Sequence, residues 1–182
     1  MRPNAQVMGR QRYFLKHNLI FLEPGDVIQT SAFGVRIHPV TGERKVHNGL
    51  DCCLWTGECM EATILAIARG RVVHCETDVL GFDKERAAGN NISIDHGNGY
   101  VSRYFHFEPN TIRVSLGDEL EAGAPLGYMG KTGMSTGEHL HFQLEYKGKP
   151  VDPRGLLLTG SFCKLKWWLA IAALKLRIFF NG

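Results

Sequence analysis

Alternating polar and apolar residues run through the middle of the chain and predict β-strands there. The clearest case is NISIDHGNGYVSRYFHF (residues 91–107), in which two alternating runs flank a Gly-Asn-Gly turn. This arrangement is the signature of a β-hairpin. Further strands are predicted in DVIQTSAFGVRI (26–37) and in ATILAIARGRVVHCE (62–76), the second of which is broken at Gly70. No helical period of convincing length occurs before residue 156, so we predict an all-β fold rich in turns.

Composition along the chain divides it into a central domain and two extensions. Residues 1–25 have mixed polarity and predict a leader or packing arm, and residues 26–155 predict one domain. Residues 156–182 form an apolar and basic tail, whose longest uncharged apolar stretch (167–174) is shorter than the ~20 residues that a membrane-spanning helix needs. For this tail, a packing helix or strand and a contact with a membrane surface both stay open.

The overall composition is that of an ordinary globular protein, with 44% hydrophobic and 21% charged residues. The net charge of +3 is compatible with an anionic partner. No stripe of Lys and Arg is interleaved with aromatic residues, so we do not expect nucleic-acid binding. Arg10, Arg12 and Lys16 interrupt the N-terminal region, which therefore does not resemble a signal peptide.

The chain contains five cysteines without any C-x-x-C pair. This spacing predicts neither a disulfide framework nor a cysteine zinc cluster. Free buried thiols are the simpler expectation. One disulfide among Cys53, Cys59 and Cys75 is the alternative in an oxidising compartment.

Two of the eight histidines flank a single leucine in GEHLHFQLEY (137–146). Because positions two apart on a strand point to the same face, His139 and His141 are predicted to lie side by side, about 7 Å apart at the backbone. An isolated His-x-His is weak evidence for a site. We expect His74 and His96, which are not part of such a group, to be surface histidines.

A second group, HNGLD (47–51), places an imidazole and a carboxylate four positions apart. Both are good zinc ligands. On a straight strand His47 and Asp51 would be ~13 Å apart, but Gly49 can adopt backbone angles that other residues avoid and so permits a bend. With one histidine from 139/141, the set becomes two imidazoles, one carboxylate and an open fourth position, which is the make-up of a catalytic zinc site.

The other histidine of the pair would then lie beside the activated water, and His106 is a candidate to join it. On the second strand of the hairpin, Tyr100, Ser102, Tyr104 and His106 share one face by alternation. A histidine that ends such a polar face is well placed to line a groove. There it could supply general acid or base catalysis or stabilise an oxyanion.

These motifs, in this order, resemble the lysostaphin/LytM-type zinc metalloendopeptidases of bacterial cell-wall turnover. The resemblance covers about residues 26–155. It rests on SAFGVRIHPVTG (31–42), HNGLD (47–51), GNNISIDHGNGYVSRYFHF (89–107), LGDELEAGAPLGYMGKTG (116–133) and STGEHLHF (135–142). It implies a compact antiparallel β-sheet or β-roll with a zinc groove. It also implies one Zn²⁺ per chain bound by His47, Asp51 and His141, with His106 and His139 as the catalytic histidines.

The resemblance also implies a substrate, the peptide cross-links of peptidoglycan, which are either glycyl bridges or bonds of D-alanine and diaminopimelate. Some enzymes that cut glycine bridges carry a tyrosine shortly before the first zinc ligand, and residues 37–46 contain none. We therefore expect a peptidoglycan peptide as the partner and action at the cell wall, in the periplasm or outside the cell. Without a visible signal peptide, release at phage lysis or transport on a virion is an alternative route.

Two other classes of function stay open. Some relatives keep the fold, lose zinc ligands and regulate other wall hydrolases, and the complete set of His47, Asp51 and His141 argues against that class. GDELEAGAPLG (117–127) resembles the turns of biotinyl or lipoyl carrier domains. Those domains need a lysine at a hairpin tip, and the sequence offers no suitable one.

Overall fold

Short β-strands make up the structure, a computed structural model that describes residues 27–37, 42–54 and 62–154. In chain order the strands are β1 (Val27–Ser31), β2 (Gly34–Ile37), β3 (Arg44–His47), β4 (Leu50–Leu54), β5 (Thr63–Leu65), β6 (Gly70–Glu76), β7 (Asn90–Asp95), β8 (Tyr100–Phe107), β9 (Glu119–Leu120), β10 (Pro125–Tyr128), β11 (Leu140–Tyr146) and β12 (Lys149–Val151). Within the described ranges, no helix has both the length and the apolarity needed to cross a membrane. The predicted tail at 156–182 lies outside these residues.

The main sheet has the strand order β1-β4-β11-β8-β7-β6-β9, and β12 pairs with the end of β11. Its strand pairs are antiparallel. Two small antiparallel sheets accompany it, the hairpin of β2 with β3 and the pair of β5 with β10. The all-β antiparallel fold predicted from the sequence is confirmed.

The core lies on one face of the main sheet, and alternation along the strands decides which residues enter it. On β11, Leu140, Phe142 and Leu144 are fully buried, whereas the residues between them are only partly buried. Ile64 of β5 and Leu126 of β10 belong to the same buried cluster. Fully burying an aliphatic or aromatic side chain of this kind stabilises a fold by about 1.5–3 kcal/mol, so this face holds the sheets together.

The predicted hairpin at 91–107 is confirmed by β7 and β8, which pair antiparallel around a tight turn. Gly97, Asn98 and Gly99 have φ angles of +71°, +53° and +84°. These left-handed conformations are easy for glycine and tolerated by asparagine. The Gly-Asn-Gly sequence therefore forms this turn because its residues accept the backbone angles required.

A β-bulge interrupts the alternation of β8 at its far end. Tyr104 pairs with Ile92 but Phe107 pairs with Asn90, so three steps on β8 match two on β7. His106 has a φ of +67° at this point. A bulge of this kind turns a side chain to the other face of the sheet. His106 therefore lies beside Phe105 in a groove instead of following Tyr104 into the core.

The predicted polar face of β8 proves to be the buried face. Tyr100, Ser102 and Tyr104 are all at most 3% exposed. The expectation that His106 would continue this face is wrong, because the bulge reverses its direction. His106 lines a groove as predicted, although for a different physical reason.

The buried polar groups of β8 are connected in a series that we call the hydroxyl chain, formed by His96, Ser102 and Tyr104. The Tyr104 hydroxyl accepts a hydrogen bond from the Ile67 backbone N–H at 2.9 Å and lies 3.2 Å from the Ser102 hydroxyl. The Ser102 hydroxyl is 2.7 Å from His96 Nε2, and His96 Nδ1 is 2.8 Å from the Arg69 carbonyl. His96 is thus half-buried and not at the surface as expected, whereas His74 is exposed.

Three cysteines fall within the described ranges, and no disulfide joins them to one another. Cys52 is buried, and Cys53 and Cys75 are partly buried. Burial raises the pKa of Cys52 to about 12, so this thiol stays protonated. Free thiols were the simpler expectation, and no bond joins Cys53 to Cys75; Cys59 lies outside the described ranges.

Candidate metal centre

Sheet register brings together residues that are far apart in the sequence. Asp51 on β4 lies directly opposite His141 on β11, and His141 lies opposite Phe105 on β8. Directly opposite residues of an antiparallel pair have neighbouring side chains on one face of the sheet. His47, at the end of β3, reaches the same point through the bend that leads into β4. We call His47, Asp51 and His141 the metal cluster.

The facing atoms of the metal cluster form a nearly equilateral triangle. His47 Nε2 is 3.0 Å from Asp51 Oδ1 and 3.0 Å from His141 Nδ1, and His141 Nδ1 is 2.8 Å from Asp51 Oδ1. In a tetrahedral site with metal–ligand bonds of about 2.0–2.1 Å, neighbouring ligand atoms are about 3.3 Å apart. The triangle is close to one face of such a tetrahedron, so these three residues could hold a metal ion.

The protonation states of its side chains leave the metal cluster with too few hydrogen-bond donors. His47 Nδ1 is 2.7 Å from the Ala32 carbonyl oxygen, which can only accept, so Nδ1 carries the proton and Nε2 presents a lone pair to the cluster. Burial lowers the pKa of His141, which favours the neutral ring. The Arg36 guanidinium, 3.1 Å from Asp51 Oδ2, favours the ionised form of the Asp51 carboxylate. An ionised carboxylate facing neutral imidazoles suits a cation.

Gly49 allows the close approach of the His141 ring, and this differs from the reason predicted. Its φ is not in the left-handed region, so the bend does not need angles reserved for glycine. A Cβ at this position would lie 2.8 Å from His141 Nε2 and would collide with the Phe142 carbonyl oxygen. Glycine is therefore required at position 49 because a side chain would not fit there, and not because of its backbone conformation.

His106 and His139 lie next to each other at the edge of the metal cluster, with ring centroids 4.7 Å apart. His106 Nδ1 is 2.7 Å from the Thr132 carbonyl, and His139 Nδ1 is 2.9 Å from the Gly137 carbonyl. Each Nδ1 therefore donates to a carbonyl, and each Nε2 is left for the groove. Burial lowers the pKa of His106 to about 3, so its ring is neutral at ordinary pH. His139 Nε2 is 3.8 Å from Asp51 Oδ1.

These five residues line one open groove of about 810 Å³. The structure thus brings together all the residues that the sequence predicted for the site. Two neighbours were not predicted. Phe105 stacks on His141 with ring centroids 5.1 Å apart and planes 14° apart, and Arg36 forms an ion pair with Asp51 at 3.1 Å between Nη2 and Oδ2. Arg36 could have been noticed in the sequence, because it is the one charged residue in the strand GVRI. Its partner, however, depends on tertiary structure.

Comparison with known proteins decides the family of this domain. The family described as peptidase family M23 matches residues 45–153. The chain belongs to peptidase family M23. The matched span contains the whole metal cluster and both neighbouring histidines, whereas the motif at residues 31–42 precedes it.

Individual M23 relatives agree with this assignment. The peptidoglycan DD-endopeptidase ShyA of Vibrio cholerae is 35% identical over 119 residues, which are 64% of this chain and 24% of ShyA. A zinc-containing peptidase from Vibrio cholerae superposes with a TM-score of 0.56 at 33% identity, covering 74% of this chain and 39% of that one. The catalytic domain of lysostaphin from Staphylococcus simulans superposes with a TM-score of 0.55 at 23% identity, covering 80% and 95%, and shows a shared fold.

The chain spans about a quarter of the length of the curated relatives that it matches. The similarity therefore concerns one domain of those longer proteins.

Proposed function

We propose that this chain is a zinc endopeptidase that hydrolyses peptide cross-links of bacterial peptidoglycan. The observation that carries the proposal is the triangle of His47 Nε2, Asp51 Oδ1 and His141 Nδ1, with sides of 2.8–3.0 Å, beside two further histidines in an open groove. Membership of family M23 and the similarity to a peptidoglycan endopeptidase and to a zinc-containing peptidase support it.

In this proposal, His47, Asp51 and His141 hold one Zn²⁺ per chain. Zinc bound by three protein ligands supplies an open position and a water acidic enough to attack a peptide carbonyl near neutral pH. The chain prepares this position by fixing the direction of its ligands. The His47 Nδ1–H donates a hydrogen bond to the Ala32 carbonyl, which fixes the ring. The His141 ring packs between Phe105 and Gly49.

His106 takes the role of a proton acceptor. Its Nδ1–H is committed to the Thr132 carbonyl, and burial keeps the ring neutral, so Nε2 offers a lone pair to the groove. A neutral imidazole within reach of the attacking water can orient it and take up its proton. The left-handed backbone at His106 is a strained conformation of the kind found at functional sites.

His139 takes the complementary role, next to the oxygen of the carbonyl under attack. Its side chain is 20% exposed, more than those of His47 and Asp51, and its Nε2 points toward the metal cluster. Because Nδ1–H donates to the Gly137 carbonyl, Nε2 carries a proton only in the imidazolium form, and in that form it would donate a hydrogen bond to negative charge that develops on the substrate oxygen. The hydroxyl of Ser135, 3.1 Å from His139 Nδ1, helps to hold the ring in this direction.

The bond that we propose is of the DD type, between D-alanine and diaminopimelate. ShyA is named a DD-endopeptidase, and the tyrosine of some glycine-bridge enzymes is absent from residues 37–46. We further propose residues 26–155 as the catalytic domain and the cell wall as the place of action. Release at phage lysis and a membrane contact of residues 156–182 stay proposals that rest on sequence alone.

Digestion of defined muropeptides tests the proposal. Purified protein is incubated with D-alanyl-diaminopimelate cross-linked dimers and, separately, with pentaglycine-bridged dimers, and the products are weighed by mass spectrometry beside a metal analysis. We expect one zinc per chain and cleavage of the first substrate, lost on chelation and restored by added zinc. Zinc without cleavage of either substrate would support a regulator of other hydrolases, and a chain that binds no zinc would refute both the metal site and the enzyme.

A further inference from the structure

The two carboxylate oxygens of Asp51 have different surroundings. Oδ1 faces the rings of His47 and His141 at 3.0 and 2.8 Å. Oδ2 instead forms an ion pair with Arg36 Nη2 at a distance of 3.1 Å. The Asp51 side chain is 9% exposed and that of Arg36 is 25% exposed, so this ion pair is largely shielded from water.

Strand alternation directs Arg36 to Asp51. On β2, Val35 and Ile37 are 60% and 65% exposed and point away from the groove. Arg36 lies between them and points to the opposite side, where it lines the groove. The same hairpin pairs Gly34 with His47, so β2 and β3 together carry one residue of the metal cluster and the cation that contacts another.

We propose that Arg36 is a positioning residue that restricts Asp51 to binding the metal through one oxygen; this inference rests on the proposed zinc site. A carboxylate can bind a metal through one oxygen or through both. While Arg36 holds Oδ2, only Oδ1 is directed to the cluster, and the open position stays available for water and substrate. Without Arg36, Oδ2 is free to turn to the metal and to occupy that position.

The chain supplies a matched control for this idea. Arg44 lies on the other strand of the same hairpin, is exposed, pairs with Ile37 and does not line the groove. Arg36→Gln and Arg44→Gln therefore remove the same charge from the same hairpin, and only the first removes the contact with Asp51. Arg36→Lys is a third variant, which keeps the charge but lacks the planar guanidinium that fits a carboxylate.

Two measurements decide the inference, the visible absorption of the Co²⁺-substituted protein and the separate kcat and KM for a muropeptide dimer. For Arg36→Gln we expect weaker cobalt bands, as four ligands become five, and a kcat that is about 10–100-fold lower with KM little changed, which is the usual effect of losing such a supporting partner. Arg36→Lys should be intermediate, and Arg44→Gln should match the wild type in both measurements.

Three results would overturn the inference. An Arg36→Gln protein with the wild-type cobalt spectrum and kcat would show that the contact does not matter. A rise in KM alone, with an unchanged spectrum, would make Arg36 a substrate-binding residue. Equal effects of Arg36→Gln and Arg44→Gln would assign the effect to the charge of the hairpin. If the wild-type chain itself fails to bind Co²⁺ or Zn²⁺, the proposed function fails instead, and the two failures are thereby distinguished.

Discussion

The metal cluster and the hydroxyl chain are two histidine sites on opposite faces of the main sheet, and their polar groups are paired in different ways. In the hydroxyl chain, Ser102 and Tyr104 can each donate and accept a hydrogen bond. Every donor in the series from the Ile67 N–H to the Arg69 carbonyl therefore has an acceptor. In the metal cluster, lone pairs and an ionised carboxylate face one another at 2.8–3.0 Å. The polar groups of the hydroxyl chain are paired with one another, whereas those of the metal cluster have too few donors and could hold a metal ion.

This difference separates a structural histidine from a candidate ligand without reference to motifs. His96 and His47 each place Nδ1 on a backbone carbonyl, at 2.8 and 2.7 Å. What faces Nε2 is different: a hydroxyl for His96, and for His47 both the Asp51 Oδ1 and the His141 Nδ1. Buried polar groups are normally paired, so the group with too few donors is the one expected to bind something.

The largest effect that we expect comes from removing a residue of the metal cluster. His47→Ala and Asp51→Ala should each lose nearly all bound zinc and all measurable wall-digesting activity, because two ligands rarely hold the ion. His96→Ala, which removes a histidine from the hydroxyl chain, should keep one zinc per chain. Metal analysis of the three purified proteins tests this, and full zinc occupancy in Asp51→Ala would remove the distinction between the two sites.

Removal of His106 or His139 should have the next largest effect. His106→Ala and His139→Ala should keep zinc and the fold but lose activity by roughly 10²–10⁴-fold, which is the usual contribution of a general acid or base. The measurement is the rate of muropeptide cleavage at equal zinc content. Turnover equal to the wild type in either variant would exclude that residue from the mechanism.

Acid should reduce activity before it removes the metal. The pKa of His106 is lowered by its burial to about 3, so His106 does not change charge between about pH 5 and 9. The zinc-activated water has a pKa of about 7 in comparable sites, so the rate should fall about tenfold per pH unit below neutrality while zinc remains bound. Rate and zinc content measured on the same samples test this, and two curves that fall together would mean that metal loss alone causes the decline.

The same lowered pKa affects the stability of the metal-free protein. An unfolded histidine titrates near ~6.5, above the folded value of about 3 for His106. The unfolded chain therefore binds a proton first, and stability should be unaffected by this group above about pH 6.5 and fall as the pH drops toward 3. Denaturant unfolding of the chelated wild type and of chelated His106→Ala measures this, and the variant should show the smaller loss.

The smallest effect should come from the hydroxyl chain. Tyr104→Phe leaves the buried Ile67 N–H without its hydrogen-bond acceptor, while Ser102 keeps its contact with His96, and this should lower the free energy of unfolding by about 1–3 kcal/mol without changing zinc content. Tyr128→Phe is the control, since among the described residues the Tyr128 hydroxyl accepts a hydrogen bond from the exposed Arg113 guanidinium. Loss of an exposed contact of this kind changes the free energy of unfolding by no more than about 0.5 kcal/mol. Zinc loss in Tyr104→Phe would show that the two sites are coupled through β8.

Sequence predicted the parts of the molecule that depend on local pattern. The hairpin of β7 and β8 follows from alternation and from turn residues that accept positive φ. The M23 motifs identified the family and the groups 47–51 and 139–141. The pairing of Asp51 with His141 then required only that their strands be neighbours.

The parts that the sequence did not predict depend on contacts between distant segments. The bulge that turns His106 into the groove is visible only as a change in register between β7 and β8. Gly49 is needed because of the His141 ring, which is 92 positions further along the chain. The role of Arg36 depends on its contact with Asp51, which only the folded structure shows. The hydroxyl chain was not predicted because the alternation of Ser102 and Tyr104 with other residues is the same as that of a half-exposed strand.

The position of β4 beside β11 also determines when the domain acquires its metal cluster during synthesis. Asp51 and His141 are 90 positions apart, and at 5–20 residues per second a ribosome needs roughly 5–18 s to travel between them. The hairpin of β7 and β8 is complete well before that, because β8 ends at Phe107. A growing chain therefore has no third ligand until β11 has been made and has paired with β4. The order of the strands thus leaves the metal cluster incomplete in the nascent chain until nearly the whole domain has been synthesised.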